Sequence, residues 1–184
     1  SVHREGGVSQ RSVLLQMALS VLTLLAQQPD AAVRRAVCGD ALERALVHVV
    51  DGTRRPQLAL VVQRHAAELA GALGKEHAHV QERLHGMGMV ACLWRLVETH
   101  HTDSDVGKAV EGFVLGLAGL VWANAPLQAH VVAQLGECAV LNQLLRSPAA
   151  VVQSGACALI SALCCGSARH RALLRQCGVL AGVV

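Results

Sequence analysis

Residues 130–184 read HVVAQLGECAVLNQLLRSPAAVVQSGACALISALCCGSARHRALLRQCGVLAGVV. One sequence pattern occurs at the beginning of this stretch and again at its end. An apolar run and a glycine precede a small-apolar segment, a Ser-Pro break and a longer apolar segment. LLRQCGVLAGVV then repeats the opening HVVAQLGECAVL. The two equivalent glycines, Gly136 and Gly178, lie 42 residues apart, which is within the period of stacked helical repeats. The stretch therefore predicts a helical repeat architecture.

The same pattern occurs earlier, at Gly88 and, with aspartate in place of glycine, at Asp40. Counted from each anchor, positions +2, +5, +6 and +9 are mostly apolar, which is the spacing of one helix face. These positions are Leu42, Ala45, Leu46 and Val49; Val90, Leu93, Trp94 and Val97; and Cys138, Leu141, Asn142 and Leu145. The anchors are spaced by 48, 48 and 42 residues. Each longer spacing contains six extra residues, which fall in the same connection (joint) between two helices of the unit. A solenoid tolerates insertions confined to such a joint.

Apolar spacing and turn residues predict helices along most of the chain. The predicted ranges are 9–27, 29–38, 40–50, 56–73, 77–84, 89–99, 105–123, 126–135, 138–146, 148–164 and 168–176, with another helix opening at Val179. Residues 1–8 are expected to be a frayed lead-in, and Asp105 is predicted to cap the seventh helix. All four prolines fall at predicted helix starts, where a missing N–H costs least.

The composition favours an all-α core of small aliphatic side chains. Apolar residues make up 53% of the chain, but there is one Phe, two Trp and no Tyr. A net charge of +3, evenly spread, is too small to indicate a nucleic-acid surface. Seven cysteines without CxxC spacing fit reduced thiols in an intracellular compartment. Residues 13–26 resemble a signal peptide, but a polar stripe favours an amphipathic helix too short to span a membrane.

These residues resemble armadillo repeats, most closely in QLGECAVLNQLLRSPAAVVQSGACALISALCCGSARHRALLRQCGVL. The resemblance implies an all-α, right-handed superhelical solenoid of three-helix repeats, as one domain over 1–184. We divide it into a partial repeat 1–39, repeats 40–87, 88–135 and 136–177, and the start of another at 178–184. HEAT repeats, with two helices per unit, are the alternative. Because no polar cap closes either end, we expect a piece of a longer solenoid or an end covered by a partner.

Armadillo proteins bind extended peptides or helices on the concave face of their third helices. Importin-α-like members carry a Trp and, four residues later, an Asn on each of these helices. The equivalent positions here are Ser20 and Leu24, Glu68 and Ala72, Gly116 and Leu120, and Ala158 and Ala162. The Trp/Asn ladder is absent, which disfavours a nuclear transport adaptor. Trp122 and Asn124 have the wrong spacing and register to replace it.

Small residues on this face suggest a different use. Gly112 and Gly116 share a helix face, which would let a partner backbone approach closely; tight packing between repeats is the alternative. We hypothesise a partner-binding face at Arg64, Glu68, Gly112, Gly116, Leu120, Ser154, Ala158 and Ala162. The joints at 51–56 and 99–105 would form a second contact edge.

No phosphate-binding glycine loop or nucleophile elbow is present. Ten histidines raise a metal-binding or enzymatic alternative, but adjacent histidines such as His100 and His101 seldom share an ion. We therefore predict no catalytic, cofactor or metal site, and no nucleic-acid, membrane or small-molecule partner. The predicted function is a non-enzymatic scaffold that binds a protein segment in the cytoplasm. The resemblance also suggests a cytoskeletal or ciliary setting.

Overall fold

The computed structural model describes residues 2–28, 30–52, 60–75, 77–135 and 138–179. Their regular structure is helical throughout, which confirms the all-α prediction for this part of the chain. The helices are α1 (Val2–Ala26), α2 (Ala31–Val37), α3 (Asp40–Asp51), α4 (Leu60–Gly74), α5 (Ala78–Gly86), α6 (Met89–His100), α7 (Gly107–Val121), α8 (Ala125–Gln134), α9 (Ala139–Leu145), α10 (Ala150–Cys164) and α11 (Ala168–Gln176), with a 3-10 helix at Ser104–Val106.

Two helix starts differ from the predictions. The backbone of α1 is helical from Val2, so residues 2–8 are not the frayed lead-in that was expected. Asp105 does not cap α7, because the 3-10 helix intervenes and its cap is Asp103, whose side chain accepts a hydrogen bond from the Asp105 N–H at 3.0 Å. Short polar residues close together compete for the same cap, and the extended backbone at Asp103 decides the outcome.

The prolines were predicted at helix starts. Pro126 lies in the first turn of α8, as predicted. Pro148 lies just before α10, whose first residue is Ala150. Pro29 and Pro56 fall outside the described residues, as does most of the joint at 51–56.

The long helices form a row in which each packs against the next. α1 contacts α4, α4 contacts α7, and α7 contacts α10. The shorter helices cover this row, since α3 and α5 pack on α4, α6 on α7, and α9 and α11 on α10. α7 is covered most completely, and Phe113 and Leu117 at its centre are fully buried. The core therefore lies between the row and the short helices.

Glycines bring α4 and α7 into backbone contact. A β-carbon at position 71 would lie 2.9 Å from the Gly116 Cα, and one at position 116 would lie 2.7 Å from the Ala67 carbonyl oxygen. One at position 119 would overlap Gly71 itself. Real β-carbons do not approach backbone atoms this closely, so only glycine permits this crossing. The glycine stripe is thus a packing feature in this structure.

A left-handed residue precedes two of the short helices, and another follows α11. These residues are Gly88 before α6 (φ 88°), Cys138 before α9 (φ 58°) and Gly178 after α11 (φ 73°). The anchor predicted at Gly136 lies outside the described residues, and the left-handed residue of its repeat is Cys138. Asp40 lies within α3 and follows Gly39, whose φ of 179° is extended. The anchor at Asp40 therefore does not form the same turn.

The predicted packing face fits α6 best. Val90, Leu93, Trp94 and Val97 are all buried there. In the next repeat Cys138 and Leu141 are buried, and Asn142 and Leu145 are half-buried. In α3, Leu46 is buried as predicted and Leu42 and Val49 are half-buried, but Ala45 is exposed, and Glu43 and Val50 are buried as well.

Glu43 is buried because an arginine from α5 reaches it. Its Oε1 accepts a bond from Arg83 Nη2 at 2.6 Å, and Arg83 Nη1 lies 3.1 Å from Asp40 Oδ1. These ion pairs raise the pKa of Arg83, chiefly through the bond to Glu43. The pairing joins α3 to α5 and accounts for a carboxylate on the buried face of α3.

The ends of α7 and α10 are built in the same way. After α7, Trp122 is extended, Ala123 is left-handed (φ 54°) and Asn124 caps α8. After α10, Cys165 is extended, Gly166 is left-handed (φ 74°) and Ser167 caps α11. The two connections therefore share the same backbone path, an extended residue, a left-handed residue and a side-chain cap.

A buried glutamine holds each of these two helix ends. Gln81 of α5 donates to the carbonyls of Gly119 (3.4 Å) and Trp122 (2.9 Å). Gln128 of α8 donates to the carbonyls of Ala162 (2.9 Å) and Cys165 (3.1 Å). Carbonyls at a helix end lack partners within the helix, so each amide satisfies two of them. These contacts link α5 to the end of α7 and α8 to the end of α10.

Candidate functional site

A cleft of about 740 Å³ crosses the C-terminal halves of the four long helices. The lining includes Thr23 and Gln27 of α1, Glu68, Ala72 and Lys75 of the α4 segment, Leu115 and Trp122 of the α7 segment, and Ala158 and Ser161 of α10. The cleft volume lies within the range typical of binding sites.

The cleft has an acidic group on α4 and a basic group directly after it. Lys75 Nζ lies 5.6 Å from the centre of the Trp122 ring, within the range of a cation–π contact. Glu68 is two turns earlier, about 10 Å along the helix axis at 1.5 Å per residue. Between them the surface is apolar, at Ala72 and at Leu115, which is 38% exposed. The site can therefore accept an apolar side chain flanked by opposite charges.

Glu68 belongs to a cluster of polar side chains. Its Oε2 is 3.1 Å from His65 Nδ1 and its Oε1 is 3.4 Å from Arg64 Nε. On the neighbouring helix, Glu111 has a raised pKa because it is partly desolvated and lies near Glu68. Two carboxylates thus approach each other beside one guanidinium. Arg64 and Lys108 partly offset the rise in the Glu111 pKa, so both cations lie beside this pair of carboxylates.

The structure separates the eight hypothesised binding residues into two groups. Glu68 and Ala158 line the cleft. Arg64 is partly exposed and pairs with Glu68, and Ser154 is exposed one turn before Ala158 on α10.

The other four hypothesised residues do not form a surface. Leu120 and Ala162 are fully buried, and Gly116 is enclosed against Ala67. Gly112 is covered by Arg64, whose Cγ would overlap an added β-carbon. These positions are correctly placed on the long helices, but they face neighbouring helices. A partner could contact them only if the row opened.

Sequence reasoning missed the most polar end of the cleft. Trp122 was set aside because its spacing does not match an importin ladder, yet its ring lies beside Lys75. Asn124 points inward, where it donates to Gln81 Oε1 at 2.8 Å. Lys75 and Trp122 both directly follow the helical residues of their long segments, 47 positions apart. That near-repeat spacing was the available signal.

Histidines and acids do not converge in the described part of the chain, where no group of three metal-ligating side chains exists. The nearest histidine pair is His85 and His130, with ring centres 4.6 Å apart. Burial, and then the neighbouring His130, lower the pKa of His85. His101 is hydrogen-bonded to Gln143 and to the Glu98 carbonyl.

Among the described residues, no helix is long and apolar enough to cross a membrane.

Comparisons of this chain with protein families, curated proteins and solved structures found no match.

Proposed function

We propose that this chain is an armadillo-like superhelix that serves as a non-enzymatic scaffold for a protein segment. Three features support the repeat assignment. They are the row of long helices, the recurring left-handed turns, and the equivalent glutamine contacts of Gln81 and Gln128. In such an architecture each unit contacts its neighbours, and the stacked units create an extended surface.

The observation that carries the functional proposal is the cleft, because four successive long helices contribute to it. An extended segment lying across it would place an apolar side chain on Ala72 and Leu115. A basic group would lie near Glu68 and Glu111, and an acidic group near Lys75. Partner recognition would combine a buried apolar anchor with charge complementarity at both sides.

The proposal includes a cytoplasmic setting, supported by seven cysteines, of which Cys92, Cys138, Cys157, Cys164, Cys165 and Cys177 are reduced thiols in the structure. Free thiols persist in reducing compartments. A cytoskeletal or ciliary assembly is the more specific setting that we propose, from the armadillo resemblance alone.

A peptide library displayed on phage can test the cleft without a known partner. Selected peptides would be synthesised and their affinities measured by fluorescence polarisation against the wild type and Ala158→Arg. We expect Ala158→Arg to weaken binding by at least about 10-fold, or ~1.4 kcal/mol, because the new side chain fills the cleft. Ala129→Arg is the matched control, an exposed alanine on α8 outside the lining. Its binding should equal that of the wild type.

Charge reversal tests the polarity of the site. Lys75→Glu should change the selected peptides from acidic to basic at one position, since it removes the cation beside Trp122. Peptides that bind equally well to wild type, Ala158→Arg and Ala72→Arg would show that the cleft is not the binding surface. Equal loss with Ala129→Arg would have the same meaning.

A further inference from the structure

The first helix of the row is apolar on two sides. Toward α4 it presents Leu19 and Ala26, which are 4% and 3% exposed. On its other side lie Val13, Leu14, Met17, Val21, Leu24 and Leu25, which are 39% to 66% exposed. We call these six residues the outer stripe. An apolar helix face is normally buried against another element, whereas this second apolar face of α1 is exposed.

Exposed large apolar side chains are concentrated on this helix. Elsewhere in the described part of the chain they occur singly, at Val61, Leu115 and Val151, which are 37% to 42% exposed. Single exposed apolar residues are normal on soluble proteins, but a contiguous stripe marks an interaction surface. The corresponding side of α7 is buried in the core, at Val110, Phe113 and Leu117. The outer stripe is therefore built like a core face.

The outer stripe has the symmetry of a surface that pairs with itself. Its residues are arranged evenly about position 19, so that Val13 matches Leu25, Leu14 matches Leu24, and Met17 matches Val21. A second copy of α1 running antiparallel presents the same stripe in reverse order. Leu14 of one chain then meets Leu24 of the other, and Met17 meets Val21. This is the self-complementarity that a twofold interface requires.

The lack of charge on the outer stripe and the size of its exposed apolar area are consistent with this pairing. No residue from position 12 to position 28 is charged, so two copies do not repel each other along the stripe. With side chains of roughly 150–200 Å² when fully exposed, the stripe offers about 600 Å² per chain and about 1,200 Å² per pair, the lower limit for a stable interface. An acidic or basic partner helix would find no complementary charge there.

We propose that the outer stripe of α1 is a homodimer interface, in which two copies of this chain pair antiparallel about a twofold axis beside position 19. The pairing extends the row of long helices from one chain into the other. Thr23 and Gln27 of α1 line the end of the cleft, so the clefts of the two chains approach each other at this interface.

Sedimentation equilibrium from about 1 to about 200 µM protein tests the interface, because dimer formation depends on protomer concentration. The monomer mass is 19.3 kDa, and the wild type should reach twice that mass at the upper concentrations. Met17→Glu should raise the dimer dissociation constant by at least about 100-fold, because it buries a charge in an apolar contact. Val151→Glu, an equally simple change at an exposed valine on α10, should leave the dissociation constant unchanged.

A charge pair tests the antiparallel register. Leu14→Lys and Leu24→Glu should each be monomeric alone, and an equimolar mixture should form heterodimers, because Lys and Glu then meet across the axis. Circular dichroism confirms that each variant is folded. A wild-type mass of 19.3 kDa at every concentration would overturn the proposal, as would self-association of Met17→Glu equal to that of the wild type. Growth into larger assemblies without a dimer plateau would also overturn it.

Discussion

Gly119→Ala tests the backbone contact between α4 and α7. An alanine at this position would place its β-carbon 2.6 Å from the carbonyl carbon of Gly71 and 2.7 Å from its Cα. Ordinary contact distance is nearly 1 Å greater, and the obstructing atoms are backbone, which cannot rotate away. The two helices must therefore separate along the crossing, and Leu120 next to it is fully buried. Overpacking of this kind costs about 1–3 kcal/mol, often more than alanine gains by its helix propensity.

After the roughly 1 kcal/mol that alanine gains by helix propensity is subtracted, the net expectation is a loss of up to about 2 kcal/mol, which lowers the melting temperature by up to roughly 8 °C in a domain of this size. Urea unfolding followed by circular dichroism gives the free energy directly. Gly86→Ala is the matched control, because Gly86 ends α5 and nothing lies within 4 Å of an added β-carbon. That change should be neutral or stabilising by up to about 1 kcal/mol. If Gly119→Ala were as stable as Gly86→Ala, the close backbone approach would be refuted.

Three further predictions concern buried polar groups and thiols. Gln81→Leu removes the bonds to the end of α7 and should destabilise the fold by about 1–3 kcal/mol in urea unfolding, whereas exposed Gln134→Leu should change it little. Burial, and then the neighbouring Glu68, raise the pKa of Glu111 above its usual 4.5. Ionisation of Glu111 therefore opposes folding as the pH rises. Glu111→Gln should raise the melting temperature at pH 7 but not below pH 4. Iodoacetamide followed by mass spectrometry should modify exposed Cys157 first and Cys138 only on unfolding, since burial and Cys177 raise the pKa of the Cys138 thiol to about 12.

Most helix positions could be predicted because the signals are local. The apolar spacing of Val90, Leu93 and Val97 fixes a helix face whatever its neighbours are, and Pro126 limits where α8 can begin. The errors came where tertiary contacts choose between similar options. Asp103 and Asp105 are both competent caps, and the extended backbone at Asp103 selects that residue.

The candidate site was only half predictable for the same reason. The repeat period places Glu68 and Ala158 at equivalent positions on the long helices, and both line the cleft. The same period also selects Gly116 and Ala162, which neighbouring helices cover. Periodicity gives the rotation of a side chain about its own helix. It does not give the distance to the next helix.

By itself, the sequence determined that this protein is helical and where most of its helices lie, because both follow from the order of apolar, glycine and proline residues along the chain. The tertiary structure decided which faces remain open. Glycines at 71, 116 and 119 let α4 and α7 meet backbone to backbone, which closes one hypothesised surface and leaves the cleft beside it. The outer stripe is likewise visible only in the structure, since Leu14 and Leu15 are alike in sequence and differ in whether a neighbouring helix covers them.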